Sequence, residues 1–159
     1  MTTQDFQHLL FLFSFLFMVM DGTINLKEID LNKQVYSHIE MDEPIDYQTM
    51  TNRLIPGLQE NAPMIIDEFF QVLKEASLTE EEHILLIETA YDMIHADQQV
   101  NPLEWSFLLM INNKLEISDA VFQRKFSYDP SDSETYFDNS EQFDDFFRSL
   151  DFSQLNPIE

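Results

Sequence analysis

The stretch from Leu9 to Met20, LLFLFSFLFMVM, constrains the fold more than any other feature of this sequence. Apart from Ser14 every residue in it is apolar, so a helix here needs neighbours on several sides. Its twelve residues fall well short of the roughly 20 that span a bilayer. The preceding residues carry no Lys or Arg, which argues against a signal peptide. We therefore expect a buried central helix over about residues 4 to 20 and no transmembrane segment.

Composition favours an all-α fold in one main domain. The 159 residues include fifteen Phe and eight Met but only two Gly, which leaves few residues suited to hairpin turns. No Cys is present, so disulfides, thiolate zinc sites and cysteine nucleophiles are excluded. A reducing compartment is compatible with this inventory, and we expect a cytoplasmic protein.

The chain is strongly acidic. Thirty acidic against eight basic residues give a formal net charge of -22, which repels phosphate backbones and anionic lipid surfaces. Direct nucleic-acid binding is therefore not expected. The charge suits a basic protein surface, a divalent cation, or a nucleic-acid-binding protein whose site an acidic decoy occupies, and it also serves solubility alone.

Helix start and stop signals divide the middle of the chain. Asp21-Gly22 is predicted to end the first helix, and a second runs from about Leu26 to Ile39. Pro44 and the pair Pro56-Gly57 bracket a shorter helix, and Pro63 opens another that reaches about residue 76. The apolar face predicted for this last helix comprises Ile65, Phe69, Val72 and Leu73.

Two further helix starts follow. Thr79 and Glu82 form a capping-box pair that begins a helix running to about His95. Asn101 followed by Pro102 predicts another start, with helix to about residue 115. The apolar stripe predicted for the first of these two helices comprises Leu86, Ala90, Met93 and Ile94.

The composition changes after residue 126. We predict a helical domain over 1–126 and an acidic, aromatic-containing tail over 127–159. Four apolar residues in the tail have the spacing of one helix face, and they predict a short partner-binding helix with Phe143, Phe146, Phe147 and Leu150. Such a helix either docks on its own domain or inserts into a groove of another protein, and the sequence leaves both readings open.

One pattern occurs twice in the chain. It consists of an Asp at the end of an apolar helix, a branched aliphatic residue three positions on, an Asn four positions on and a Glu seven positions on. The first copy has Asp21 and Glu28, and the second, 76 residues later (97 minus 21), has Asp97 and Glu104. The repetition indicates an internal duplication, in which two helical hairpins pack around a pseudo-two-fold axis.

On these residues the chain resembles the TerB-like family, named for tellurite-resistance proteins, whose members carry two Asp-Gly-x-Ile-x-x-x-Glu motifs in a compact helical fold. The first copy, DGTINLKE, matches at every motif position. In the second copy Gln98 stands where the family has Gly, and Val100 stands where it has Ile. The resemblance covers about residues 8 to 122. It implies a bundle of about six to seven helices and a role in bacterial stress, defence or surface-associated complexes, often as an interaction module, with no known reaction.

The motif carboxylates are the candidate metal ligands. Hard cations such as Ca²⁺ and Mg²⁺ prefer oxygen ligands, and the pseudo-symmetry would bring the two corners into one site. The alternative is structural, with each Glu capping its helix and each Asp satisfying its turn. The four residues are Asp21, Glu28, Asp97 and Glu104.

The sequence offers no arrangement of catalytic residues. Its histidines do not form the zinc-protease pattern, and it has neither a phosphate-cradling glycine loop nor a nucleophile elbow. We therefore expect a non-catalytic protein without a cofactor-binding motif that binds a basic or groove-bearing protein partner. The alternative function is an acidic inhibitor or immunity protein that occupies the basic site of a toxin or nucleic-acid-binding protein.

Overall fold

The regular structure of the described residues is helical. The computed structural model describes residues 3–20, 24, 26–96, 104, 107, 108, 111, 152, 153, 155 and 158. Four helices are defined within them: α1 (Thr3–Val19), α2 (Leu26–Ser37), α3 (Tyr47–Glu75) and α4 (Glu80–Ile94). Residues 104, 107, 108 and 111 are helical as well. The all-α prediction is confirmed here, whereas the predicted helix count and the predicted boundary at residue 126 involve residues outside the described ones.

The first helix, α1, lies at the centre of the described bundle. It packs mainly against α2 and α4 and more sparsely against α3. Every side chain from Phe13 to Met20 is buried, which confirms the predicted central helix. Aromatic rings join it to its neighbours, with ring centroids 6.0 Å apart for Phe13 and Phe69 and 4.8 Å apart for Phe17 and Phe107. None of the described helices combines the length and apolarity needed to cross a membrane.

A polar network lies inside the apolar core where α1, α2 and α3 meet. Asn32 is fully buried, and its Nδ2 donates a hydrogen bond to the Ser14 hydroxyl at 2.7 Å. The Tyr47 hydroxyl donates to Asn32 Oδ1 at 2.6 Å. Burial, with a smaller contribution from the charge of Asp30, raises the pKa of Tyr47, so this hydroxyl remains a donor at neutral pH. The network therefore fixes how three helices sit against one another.

Only one of the two proline signals in α3 agrees with the break inside it: the predicted helix start at Pro63 follows the break, whereas the predicted stop at Pro56-Gly57 does not coincide with it. We expected the helix to stop at Pro56-Gly57, but helical conformation continues through both residues and the non-helical residue inside α3 is Asn61, with φ -154° and ψ 72°. Pro56 lacks one helical hydrogen bond, at a cost of about 3 kcal/mol. The buried side chains of Ile55 and Leu58 offset that cost. Asn61 Oδ1 then accepts a hydrogen bond from the Met64 amide at 3.3 Å, which caps the second segment of the helix.

The fourth helix, α4, begins at the predicted capping box. The Thr79 hydroxyl accepts from the Glu82 amide at 3.1 Å, and the Glu82 carboxylate accepts from the Thr79 amide at 3.0 Å. The predicted stripe is buried in full: Leu86, Ala90, Met93 and Ile94. Start signal and apolar pattern thus agree with the observed helix.

Candidate functional site

Two of the four predicted metal ligands are described, and both are buried. Glu28 lies in the first turn of α2 and is 5% exposed, and Glu104 is 4% exposed in a helical segment. Both take part in interactions with other groups. Asp21 and Asp97 lie outside the described residues. Among the described residues, no three His, Asp or Glu side chains are grouped in a way that could hold a metal ion, so the cation site stays a prediction.

The C-terminal residues contact the helical bundle at positions that the sequence did not single out. The predicted tail-helix residues, Phe143, Phe146, Phe147 and Leu150, lie outside the described residues. Beyond them, three apolar side chains at every third position are buried: Phe152, Leu155 and Ile158. These three belong to the same buried cluster as Ile55 and Leu58 of α3. The chain is therefore docked on the helical bundle at Phe152, Leu155 and Ile158, and we call these three residues together with Ser153 the C-terminal segment.

Amide side chains on α3 hold the backbone of the C-terminal segment. Asn52 makes two of the hydrogen bonds, with Nδ2 donating to the Ile158 carbonyl at 3.0 Å and Oδ1 accepting from the Ile158 amide at 2.8 Å. Gln48 Nε2 donates to the same carbonyl at 2.8 Å, and Gln59 Nε2 donates to the Leu155 carbonyl at 2.9 Å. The spacing of these three residues places them on one face of the helix. We call Gln48, Asn52 and Gln59 the amide clamp.

An apolar groove lies between α1 and α3. Its volume is about 570 Å³, and its walls include Leu9 and Leu12 of α1 together with Leu54 and Phe69 of α3. Val72, which the sequence pattern assigned to the buried face of its helix, also lines the groove and is 48% exposed. That assignment was wrong for Val72, which faces the groove instead of the buried core. We call this feature the α1–α3 groove.

Acidic residues border the α1–α3 groove. Asp5 on α1 and Glu68 on α3 both line it and are both exposed, and the exposed His8 lies beside them. With a net charge of -22 on the chain, these carboxylates make the approach to the groove electronegative.

The amide clamp and the groove occupy different sides of α3. Leu54 on the groove wall lies roughly 140° around the helix axis from the mean direction of the clamp residues. A substitution can therefore alter one surface without touching the other.

Comparison with known proteins gives no match: no protein-family model, no curated protein and no solved structure is significantly similar to this chain. The TerB-like resemblance accordingly rests on the two sequence motifs, and its functional implications remain expectations.

Proposed function

We propose that this chain is a non-catalytic interaction module of the TerB-like type, with two pseudo-symmetric helical hairpins, that acts in the cytoplasm in bacterial stress or defence. It binds a basic protein partner in the α1–α3 groove. The observation that carries this proposal is the groove itself, which combines an open apolar wall with an acidic border.

The wall of the groove favours an apolar anchor. A volume of about 570 Å³ lies within the range of natural ligand pockets and also suits the apolar face of a partner helix. Val72 exposes 48% of its surface there, and covering it would remove apolar area from water. One or two large apolar side chains of a partner would therefore supply most of the binding free energy.

The border of the groove selects the charge around that anchor. Lys or Arg residues next to the anchor would meet Asp5 and Glu68, whereas acidic residues would be repelled. Because both carboxylates are exposed, salt screens this contribution. The partner expected from these features is an amphipathic basic segment whose binding weakens as the salt concentration rises.

A designed peptide tests the proposal directly. The ligand is an amphipathic helical peptide of leucine and lysine, the control peptide has glutamate in place of lysine, and binding is measured by calorimetry at about 50 and about 300 mM salt. We expect the lysine peptide alone to bind, and to bind more weakly at the higher salt concentration.

Two charge-introducing variants locate the binding surface. Val72→Glu puts a charge into the groove and should weaken binding of the lysine peptide at least about tenfold, or about 1.4 kcal/mol. Leu26→Glu is the matched control, because Leu26 is an apolar residue of α2 that is 79% exposed and does not line the groove. Equal losses in both variants, or equal binding of both peptides, would contradict the proposed site.

A further inference from the structure

We propose that the amide clamp is a second, separate peptide-binding site, which the C-terminal segment fills in cis. Its ligand in trans is a linear peptide with apolar residues at every third position and basic flanking residues.

The hydrogen bonds of the clamp identify the class of ligand. Asn52 donates to the carbonyl and accepts from the amide of one residue, Ile158, so its side chain pairs with both backbone groups of that residue as a neighbouring strand would. Gln48 and Gln59 also donate to backbone carbonyls. Because these bonds go to the backbone, they accept any sequence that can adopt the same path. The ligand class is therefore a polypeptide segment.

The buried side chains of the segment define the required pattern. Phe152, Leu155 and Ile158 are 3%, 4% and 6% exposed, and each is separated from the next by two residues. Between the first two the chain makes a turn, with the Leu155 amide donating to the Phe152 carbonyl at 3.1 Å. A ligand in trans must reproduce the three apolar positions. Without them, the apolar residues of α3 that Phe152, Leu155 and Ile158 cover would be exposed to water.

Charge favours a competitor over the cis ligand. The segment is flanked in the sequence by Asp151 and Glu159, and it docks on a chain whose net charge is -22. Like charges on ligand and receptor weaken binding, whereas lysines at the two flanking positions would strengthen it. A basic-flanked peptide therefore has an electrostatic advantage that the cis segment lacks.

Replacement of the C-terminal segment by a peptide leaves the backbone hydrogen bonds of the four helices in place. Release of the segment breaks the four hydrogen bonds to α3 and uncovers three apolar side chains, but the backbone hydrogen bonds within α1 to α4 do not involve it. A peptide in trans replaces both kinds of contact. The cis segment competes at an effective concentration in the millimolar range, so binding to the wild-type chain is expected to be weak.

The test uses the full chain and labelled peptides in fluorescence anisotropy. The peptides are KFSQLNPIK, the native DFSQLNPIE, and KDSQDNPDK, in which the three apolar residues are replaced by Asp. The full-length variant Leu155→Asp/Ile158→Asp empties the clamp. We expect it to bind the first peptide at least about tenfold more tightly than wild type does, the native peptide more weakly, and the third not at all.

A matched pair of amide substitutions assigns the binding to the clamp. Asn52→Ala in the emptied variant should weaken binding of KFSQLNPIK at least about tenfold. Gln71→Ala should not, because Gln71 also lies on α3 but bonds to Glu75 at 3.1 Å instead of to the segment. Equal affinity in these two variants would overturn the proposal.

Two further outcomes are decisive for the wild-type chain. If circular dichroism shows that the emptied variant is unfolded, the ¹⁵N-labelled wild type is titrated with excess KFSQLNPIK. If the chemical shift of the Ile158 amide moves to the value of a segment released from α3, the proposal is supported. An unchanged chemical shift overturns it. The wild-type chain could instead form a dimer in which each C-terminal segment occupies the clamp of the other copy. A dimer fraction of this kind that rises with protein concentration would overturn the assignment to a separate partner. Val72→Glu changes the groove side of α3 and not the clamp side. A result that disproves peptide binding in the α1–α3 groove can therefore be distinguished from one that disproves peptide binding in the amide clamp.

Discussion

The Tyr47 hydroxyl donates a 2.6 Å hydrogen bond to Oδ1 of Asn32 and thereby ties the first turn of α3 to the buried side of α2. Asn32 has no exposed surface, and its other amide atom, Nδ2, donates to Ser14 on α1. One side chain thus satisfies its hydrogen-bonding capacity across three helices, and its removal should affect their packing as a unit.

Tyr47→Phe should lower the free energy of unfolding by about 1–3 kcal/mol, because it leaves Asn32 Oδ1 buried without its donor. Urea denaturation followed by circular dichroism measures this loss. Replacing Asn32 by Leu in the Tyr47→Phe background removes the orphaned acceptor and should recover part of the stability. An unchanged midpoint for Tyr47→Phe would show that water or another group replaces the hydroxyl.

The capping box of α4 gives a prediction with an internal control. Thr79→Ala should lower the free energy of unfolding by about 1 kcal/mol, since the Glu82 amide loses its acceptor. Thr89→Ala makes the same chemical change in the middle of the same helix, where the hydroxyl only donates back to the Leu85 carbonyl. It should leave stability unchanged or raise it slightly, because alanine is the better helix former. Equal effects in thermal melts would contradict the assigned role of Thr79.

The N-cap of α3 predicts a pH dependence. Asp46 accepts hydrogen bonds from the Thr49 amide and hydroxyl, both at 2.8 Å, and these bonds hold its pKa below the ordinary value of 3.8. A lowered pKa in the folded state stabilises the fold above the ordinary value, and this contribution is lost as the pH falls through the folded value. Asp46→Asn keeps a capping oxygen without the charge. The melting-temperature difference between wild type and Asp46→Asn should therefore shrink as the pH drops from about 5 to about 2.

In that comparison the other carboxylates are common to both proteins, so their titration cancels from the difference. A difference that stays constant over the whole pH range would mean that the ionised form of Asp46 contributes nothing to stability.

The predicted cation site can be tested by the effect of metal on thermal stability. If the motif carboxylates bind Ca²⁺ or Mg²⁺, millimolar metal should raise the melting temperature of the wild type, because a ligand bound only to the folded state stabilises it. Glu28→Gln and Glu104→Gln should each abolish that rise. Glu68→Gln is the control, since Glu68 borders the α1–α3 groove instead. A rise that survives in Glu28→Gln would contradict the predicted ligand set.

Strong local signals made parts of the fold predictable. The apolar run of α1, broken only by Ser14, predicted a buried element of this length, and the Thr79 and Glu82 pair marked the start of α4 within one residue. Pro63 marked the start of the second segment of α3 within two residues, since the break lies at Asn61. The continuation of helix through Pro56 was not predictable, because burial of Ile55 and Leu58 decides whether the helix tolerates this proline. Tertiary packing here outweighs a local helix-breaking preference.

The candidate sites were less accessible from sequence. The amide clamp joins residues 106 positions apart, Asn52 and Ile158, and amide side chains carry no pattern that reveals such a distant partner. The apolar spacing of FSQLNPI and the one-sided placement of the three amides were the available signals, and each alone is common in surface segments. The burial of Glu28 and Glu104 is seen only in the structure, and their role as metal ligands remains a prediction.

The central helix has a consequence for the chain before it folds. The residues that fill the core of the bundle, LLFLFSFLFMVM, carry no charge and no proline, and an exposed segment of this kind readily associates with copies of itself. The other helices hide it only after they have assembled around α1. Until then, molecules that each carry a charge of -22 repel one another, and this repulsion opposes the association of newly made or heat-unfolded chains. Acidity in this protein therefore protects it from aggregation during folding, in addition to any role in recognition.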